Sequence, residues 1–138
     1  MAPHSQPNAA VANVATDTAL AGIVSSSPQG SIAIANNTKA FDFKSVYIGC
    51  GLATGEGAAS VPIGCVVSVN AFFVNGQQAP EQTFSFAPNS ENYAAPILAV
   101  LPSSWVGLKN ATLGIASSGG QVTATTLQID NLVHCNVY

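Results

Sequence analysis

Apolar residues recur at every second position through most of this chain, and Gly, Pro, Asn and Ser interrupt them every ~8–15 positions. No stretch repeats its apolar positions with the period of a helix. In "FDFKSVYIG" (41–49) the alternation puts Phe41, Phe43 and Tyr47 on one side, with Asp42, Lys44, Val46 and Ile48 on the other. "CVVSVNAFFV" (65–74) is β-branched and aromatic and ends at Asn75-Gly76. That dipeptide suits the positive-φ positions of a two-residue hairpin turn. "EQTFSFA" (81–87) reads as the returning strand.

Further along, "PNSENYAAP" (88–96) predicts a loop, "ILAVL" (97–101) a strand and "PSSWVGLKN" (102–110) a connection. "ATLGIAS" (111–117) alternates again, and Gly119-Gly120 turns the chain into a last strand. There Leu127, Ile129, Val133, Cys135 and Val137 share a face with Asn131. Before residue 40, "LAGIV" and "SIAIA" predict strands, residues 1–10 a flexible tail, and 11–138 a single domain. About eight or nine short antiparallel strands make an all-β protein, an antiparallel β-sandwich of the jelly-roll kind.

A chain of 138 residues is long enough to bury a core in one domain. Only 7% of it is charged, against roughly a quarter in an average soluble domain. Its surface must therefore be covered by Ser, Thr, Asn, Gln and small residues, which suits an extracellular setting. The basic residues are Lys39, Lys44 and Lys109, with no arginine. Phosphate neutralisation needs clustered cations, so neither nucleic acid nor an anionic membrane is an expected partner.

No apolar run approaches the ~20 residues that span a bilayer. The first residues lack the basic end and continuous apolar core of a signal peptide. The expectation is a secreted protein, extracellular or in a cell wall, with its signal removed and Met1 an added residue. The glycosylation sequons Asn36-Asn37-Thr38 and Asn110-Ala111-Thr112 agree with that setting.

Two of the three cysteines flank the bland loop of "IGCGLATGEGAASVPIGC" (48–65). A metal site would need further Cys or His at fixed spacing, and the chain offers only His4, His134 and Cys135. A redox motif would set the cysteines two residues apart. A structural disulfide between Cys50 and Cys65 is the expectation, tying the end of one strand to the start of the next. Cys135, on the apolar side of the last strand, is expected to be a buried thiol.

The ordered set "FDFKSVYIGC", "VPIGCVVSVNAFFVNGQQ", "TFSFAP", "LPSSWVGLKNATLGI" and "TTLQIDNLVHCNVY" resembles a family of fungal secreted proteins. Those proteins have a galactose-binding-like jelly roll related in pattern to carbohydrate-binding modules. In related modules an acid of the final strand often joins a structural Ca²⁺ site, which implies Asp130 as a candidate ligand here. The plainer alternative, a strand Asp accepting hydrogen bonds from a neighbouring loop, needs fewer acids than the chain would have to gather around calcium. No other cofactor is expected.

The residues do not assemble an enzyme. The six acids, Asp17, Asp42, Glu56, Glu81, Glu91 and Asp130, stand singly, whereas sugar hydrolysis needs a carboxylate pair. No nucleophile elbow is present, and His134 reads as a surface histidine. Sugar binding needs an aromatic face with amide or acid hydrogen bonds beside it. Tyr93, with Glu91 and Asn92 in the 88–96 loop, meets that description best, with a tyrosine that merely caps the fold as the equal alternative. Trp105 is the second aromatic candidate, though a lone tryptophan at a strand connection is more often an anchor in the core. The expected function is non-catalytic recognition of a cell-wall polysaccharide. The alternative is a structural or effector-like protein that binds another protein or self-associates, as a monomer or weak homo-oligomer.

Overall fold

The computed structural model describes residues 10–12, 29–34, 39–52, 61–89, 94–119 and 125–138. Among them the chain is all-β, without a helix. The strands are β1 (Ala10–Ala12), β2 (Gln29–Ala33), β3 (Ala40–Leu52), β4 (Cys65–Phe73), β5 (Gln82–Phe86), β6 (Ile97–Val100), β7 (Leu108–Ser118) and β8 (Thr125–Val137). Ala10, the last residue of the predicted tail, opens β1, while the predicted strand "LAGIV" lies outside the described residues.

Every strand pair is antiparallel, within one sheet that nearly closes on itself like a barrel. The pairings fall into two runs, β1-β8-β3-β6 and β2-β7-β4-β5. The ladder pair of Phe41 with Leu108 joins them. The core lies inside this wrap. It takes Val67, Val69 and Ala71 from β4, Ala111, Leu113 and Ile115 from β7, Phe41, Phe43, Val46, Ile48 and Cys50 from β3, and Leu127 from β8. Each large side chain so buried contributes about 1.5–3 kcal/mol of transfer free energy.

The hairpin after β4 differs in detail from the expectation. Phe73 N–H donates to Gln77 O at 2.9 Å, and Gly76 N–H donates to Phe73 O at 2.9 Å. The loop is thus three residues long, with Gly76 at φ 86° in the left-handed region. Asn75 contributes by accepting the Gln77 N–H on Oδ1 at 2.9 Å.

A larger difference lies between β3 and β8. Phe43 pairs with His134, Ser45 with Val133 and Tyr47 with Asp130. One extra residue on β3, Lys44, is followed by one extra on β8, beside Asn131 at φ 47°. The two bulges cancel in register, yet each reverses the inside-outside alternation of its own strand. Val46 and Ile48 are therefore core residues and Tyr47 faces outward with Ser45, contrary to strict alternation. Cys135 is likewise exposed and not buried, and Val133 and Val137 are exposed with it.

The expected disulfide is present, joining buried Cys50 of β3 to buried Cys65 of β4 across a Cα–Cα distance of 6.2 Å. It links the two runs of strands. Beside it residues 61–63 return along β3, through Ile63 N–H to Cys50 O at 3.0 Å and Leu52 N–H to Val61 O at 2.9 Å. No helix among the described residues is long and apolar enough to cross a membrane.

Candidate functional site

The outer face of the β2-β7-β4-β5 run follows from the alternation of β4, while β7 beside it carries one extra residue at Lys109 and another at Ala116. In β4, Val67, Val69 and Ala71 turn inward, so Val66, Ser68, Asn70 and Phe72 turn outward. The register then fixes their neighbours. Phe72 pairs with Asn110 of β7, and Asn110 with Ala33 of β2. Asn70 pairs with Thr112, and Thr112 with Ser31. Ser68 stands between Gly114 and Thr83, and Val66 between Ser117 and Ser85. No position in these four rows is charged.

Phe72 is the aromatic of this face, and it is 40% exposed. Asn110 flanks it across one edge of β4 and Gln78 across the other, through an isolated bridge. Gln78 Nε2 approaches Asn70 Oδ1 at 3.5 Å, a long and weak contact that brings a third amide beside the ring. The result is a ring bordered by three amides, with hydroxyls of Ser68, Thr83, Ser31 and Thr112 further out. Such a surface offers an apolar face to sugar C–H groups and neutral donors and acceptors to sugar hydroxyls. The cation beside it is Lys109, the exposed extra residue of β7 next to Asn110.

Of the residues singled out from sequence, Glu91, Asn92, Tyr93 and Asn36 lie outside the described residues. Trp105 sits in the core, 1% exposed, in the connection that crosses from β6 to β7. Its backbone N–H donates to Pro102 O at 2.9 Å, and its carbonyl accepts from Phe43 N–H at 3.2 Å. Among the described residues the indole N–H has no hydrogen-bond partner. Asp130 is 2% exposed on β8, paired with Tyr47. Among the described residues no group of three or more His, Cys, Asp and Glu could hold a metal ion. Asn110 belongs to β7, which begins earlier than predicted, and it is half-buried.

Phe72, Asn70 and Gln78 escaped the sequence reading as site residues. The signal for Asn70 and Phe72 was nonetheless there, since strict alternation in "VVSVNAF" sends Ser68, Asn70 and Phe72 to the side opposite Val67, Val69 and Ala71. No protein-family model matches the chain, and no curated protein matches it.

Proposed function

We propose that this is a secreted jelly-roll protein that binds a neutral polysaccharide without chemistry, through the outer face centred on Phe72. The jelly-roll reading is supported by the nesting of the pairs β1·β8, β2·β7, β3·β6 and β4·β5. A chain wound as one long folded-over hairpin pairs its strands in that order. Secretion is supported by the Cys50–Cys65 disulfide, which persists in an oxidising compartment. The observation that carries the binding reading is the exposed Phe72 ring between the amides of Asn110 and Gln78, in rows of paired residues that hold no charge.

A polysaccharide chain is long and neutral, and an amide-bordered strip along the strands matches it by chemistry. Its affinity would come chiefly from the ring, because hydrogen bonds to sugar hydroxyls replace ones already made to water. The test is depletion of the chain from solution by insoluble chitin, β-glucan, cellulose and xylan. Retention on at least one of these, released by its soluble oligosaccharide, is the expected result. No retention on any of the four would contradict the reading.

A second reading, docking of a protein or of a second copy, has its own observation on the opposite run. Val100 of β6 and Val133 of β8 flank Ser45 of β3, with Leu98 beside them, and all three apolar side chains are exposed. Concentration-dependent association in solution, abolished by Val100→Ser, would favour it.

A further inference from the structure

The sequon Asn110-Ala111-Thr112 lies on β7 with Asn110 directly opposite the exposed Phe72. Strand alternation places Asn110 and Thr112 outward while Ala111 is buried, so a group attached to Asn110 must lie along the outer face. Directly opposite residues have Cβ atoms about 4.5–5.5 Å apart. The first sugar ring on Asn110 Nδ2 is therefore within reach of the Phe72 ring on one side. On the other side stands Ala33, which has only a methyl group to offer.

We propose that Asn110 carries an N-linked glycan whose first sugar packs on Phe72 and thereby closes the platform to external polysaccharide. This rests on the reading above that the face accepts sugar. The donor is a lipid-pyrophosphate-linked oligosaccharide. A bond forms between Asn110 Nδ2 and the anomeric carbon, and the bond from that carbon to the pyrophosphate oxygen breaks. The lipid pyrophosphate leaves, and one amide proton passes to a base of the transferring enzyme. Half-burial of Asn110 in the folded sheet is no obstacle, since transfer to a sequon precedes folding of the strand that holds it.

The apolar side of the sugar ring then covers the phenyl face left exposed by the fold, as an external sugar would. The unmodified chain is the binding form and the modified chain the closed one.

The experiment uses the full chain from a eukaryotic secretory host and from an oxidising bacterial compartment, each as wild type, Phe72→Ala and Phe72→Leu. The expected mass from the eukaryotic host exceeds that of Asn110→Gln by one glycan. The glycan should raise the wild-type melting temperature by about 2–4 °C, a shift of the size one favourable contact gives. It should raise that of the Ala and Leu variants little or not at all. The glycosylated wild type should also bind insoluble polysaccharide at least ~10-fold more weakly than the bare chain, the scale of one lost aromatic contact. Equal masses for wild type and Asn110→Gln, or a melting shift that survives Phe72→Ala, would overturn the proposal. So would equal binding by the glycosylated and bare chains. A bare chain that binds nothing, with a glycan shift that still depends on Phe72, would sink the polysaccharide reading and leave the packing of the glycan standing.

Discussion

The Gly107 N–H donates to Asp42 Oδ1 at 3.0 Å, although 65 positions separate the two residues. The bond pins the connection from β6 to β7 against β3, at the point where the chain crosses between the two runs of strands. Gly107 also gives its carbonyl to Val74 N–H at 3.2 Å, so one glycine is held from two sides.

Gly107 has φ 71°, and a Cβ added there would meet nothing within 4 Å. Gly107→Ala should therefore cost only the backbone strain of a side chain in the left-handed region, about 1 kcal/mol. Asp42→Ala leaves the Gly107 N–H without its acceptor and should cost about 1–2 kcal/mol. Urea denaturation of both variants checks this. A neutral Asp42→Ala would mean the connection is held by packing alone.

The disulfide closes a loop of sequence separation 15 between strands of different runs. Replacing both cysteines with alanine should cost about 3 kcal/mol in the chain-entropy account. Cys135, being exposed, should react with a water-soluble thiol reagent in the native protein, and non-reducing peptide mapping should find Cys50 and Cys65 together. A native Cys135 that reacts only after denaturation would contradict the outward turn of β8 past its bulge.

Trp105 is the largest fully buried side chain among the described residues. Trp105→Ala should cost about 3–5 kcal/mol as a core cavity. Trp105→Phe should cost clearly less, because it keeps a ring in the core and also removes the indole N–H that has no partner among the described residues. Equal losses for the two would show that the ring fills a site which phenylalanine cannot.

Asn131 holds φ 47° at the β8 bulge. Asn131→Gly should be nearly neutral, while Asn131→Val should cost about 1–2 kcal/mol, since a β-branched residue resists that conformation. Thermal melts of the pair decide it. A harmless valine would mean that the bulge relaxes and that β8 slides in register.

Where alternation runs unbroken the sequence was legible, and where a bulge intervenes it was not. β4 and β5 follow their apolar pattern, and Asn75-Gly76 marks the turn between them. The Cys50–Cys65 bridge could be read because the chain has no competing ligands at metal or redox spacing. Lys44 and the residues beside Asn131 could not be read as extra residues, since a bulge depends on the partner strand and not on local pattern. That is why alternation groups Val46 and Ile48 with Asp42 and Lys44, away from Phe41 and Phe43, and puts Cys135 inside. The aromatic face was overlooked for a different reason. Phe72 becomes distinctive only when register sets Asn110 and Gln78, distant in sequence, on either side of it.

Phe72→Ala decides whether the outer face of the β2-β7-β4-β5 run holds the ligand. The bare chain and its Phe72→Ala variant would be titrated against the polysaccharide that retains the wild type, with Leu98→Ala on the opposite run as control. Phe72 is 40% exposed, so its loss should lower the melting temperature by only a few degrees and leave the fold intact. Binding should weaken by about 1–3 kcal/mol, or ~5–150-fold, the scale of a lost aromatic contact. Leu98→Ala should bind as the wild type does. Undiminished binding by Phe72→Ala, together with loss in Leu98→Ala, would contradict the account and move the site to the β1-β8-β3-β6 run.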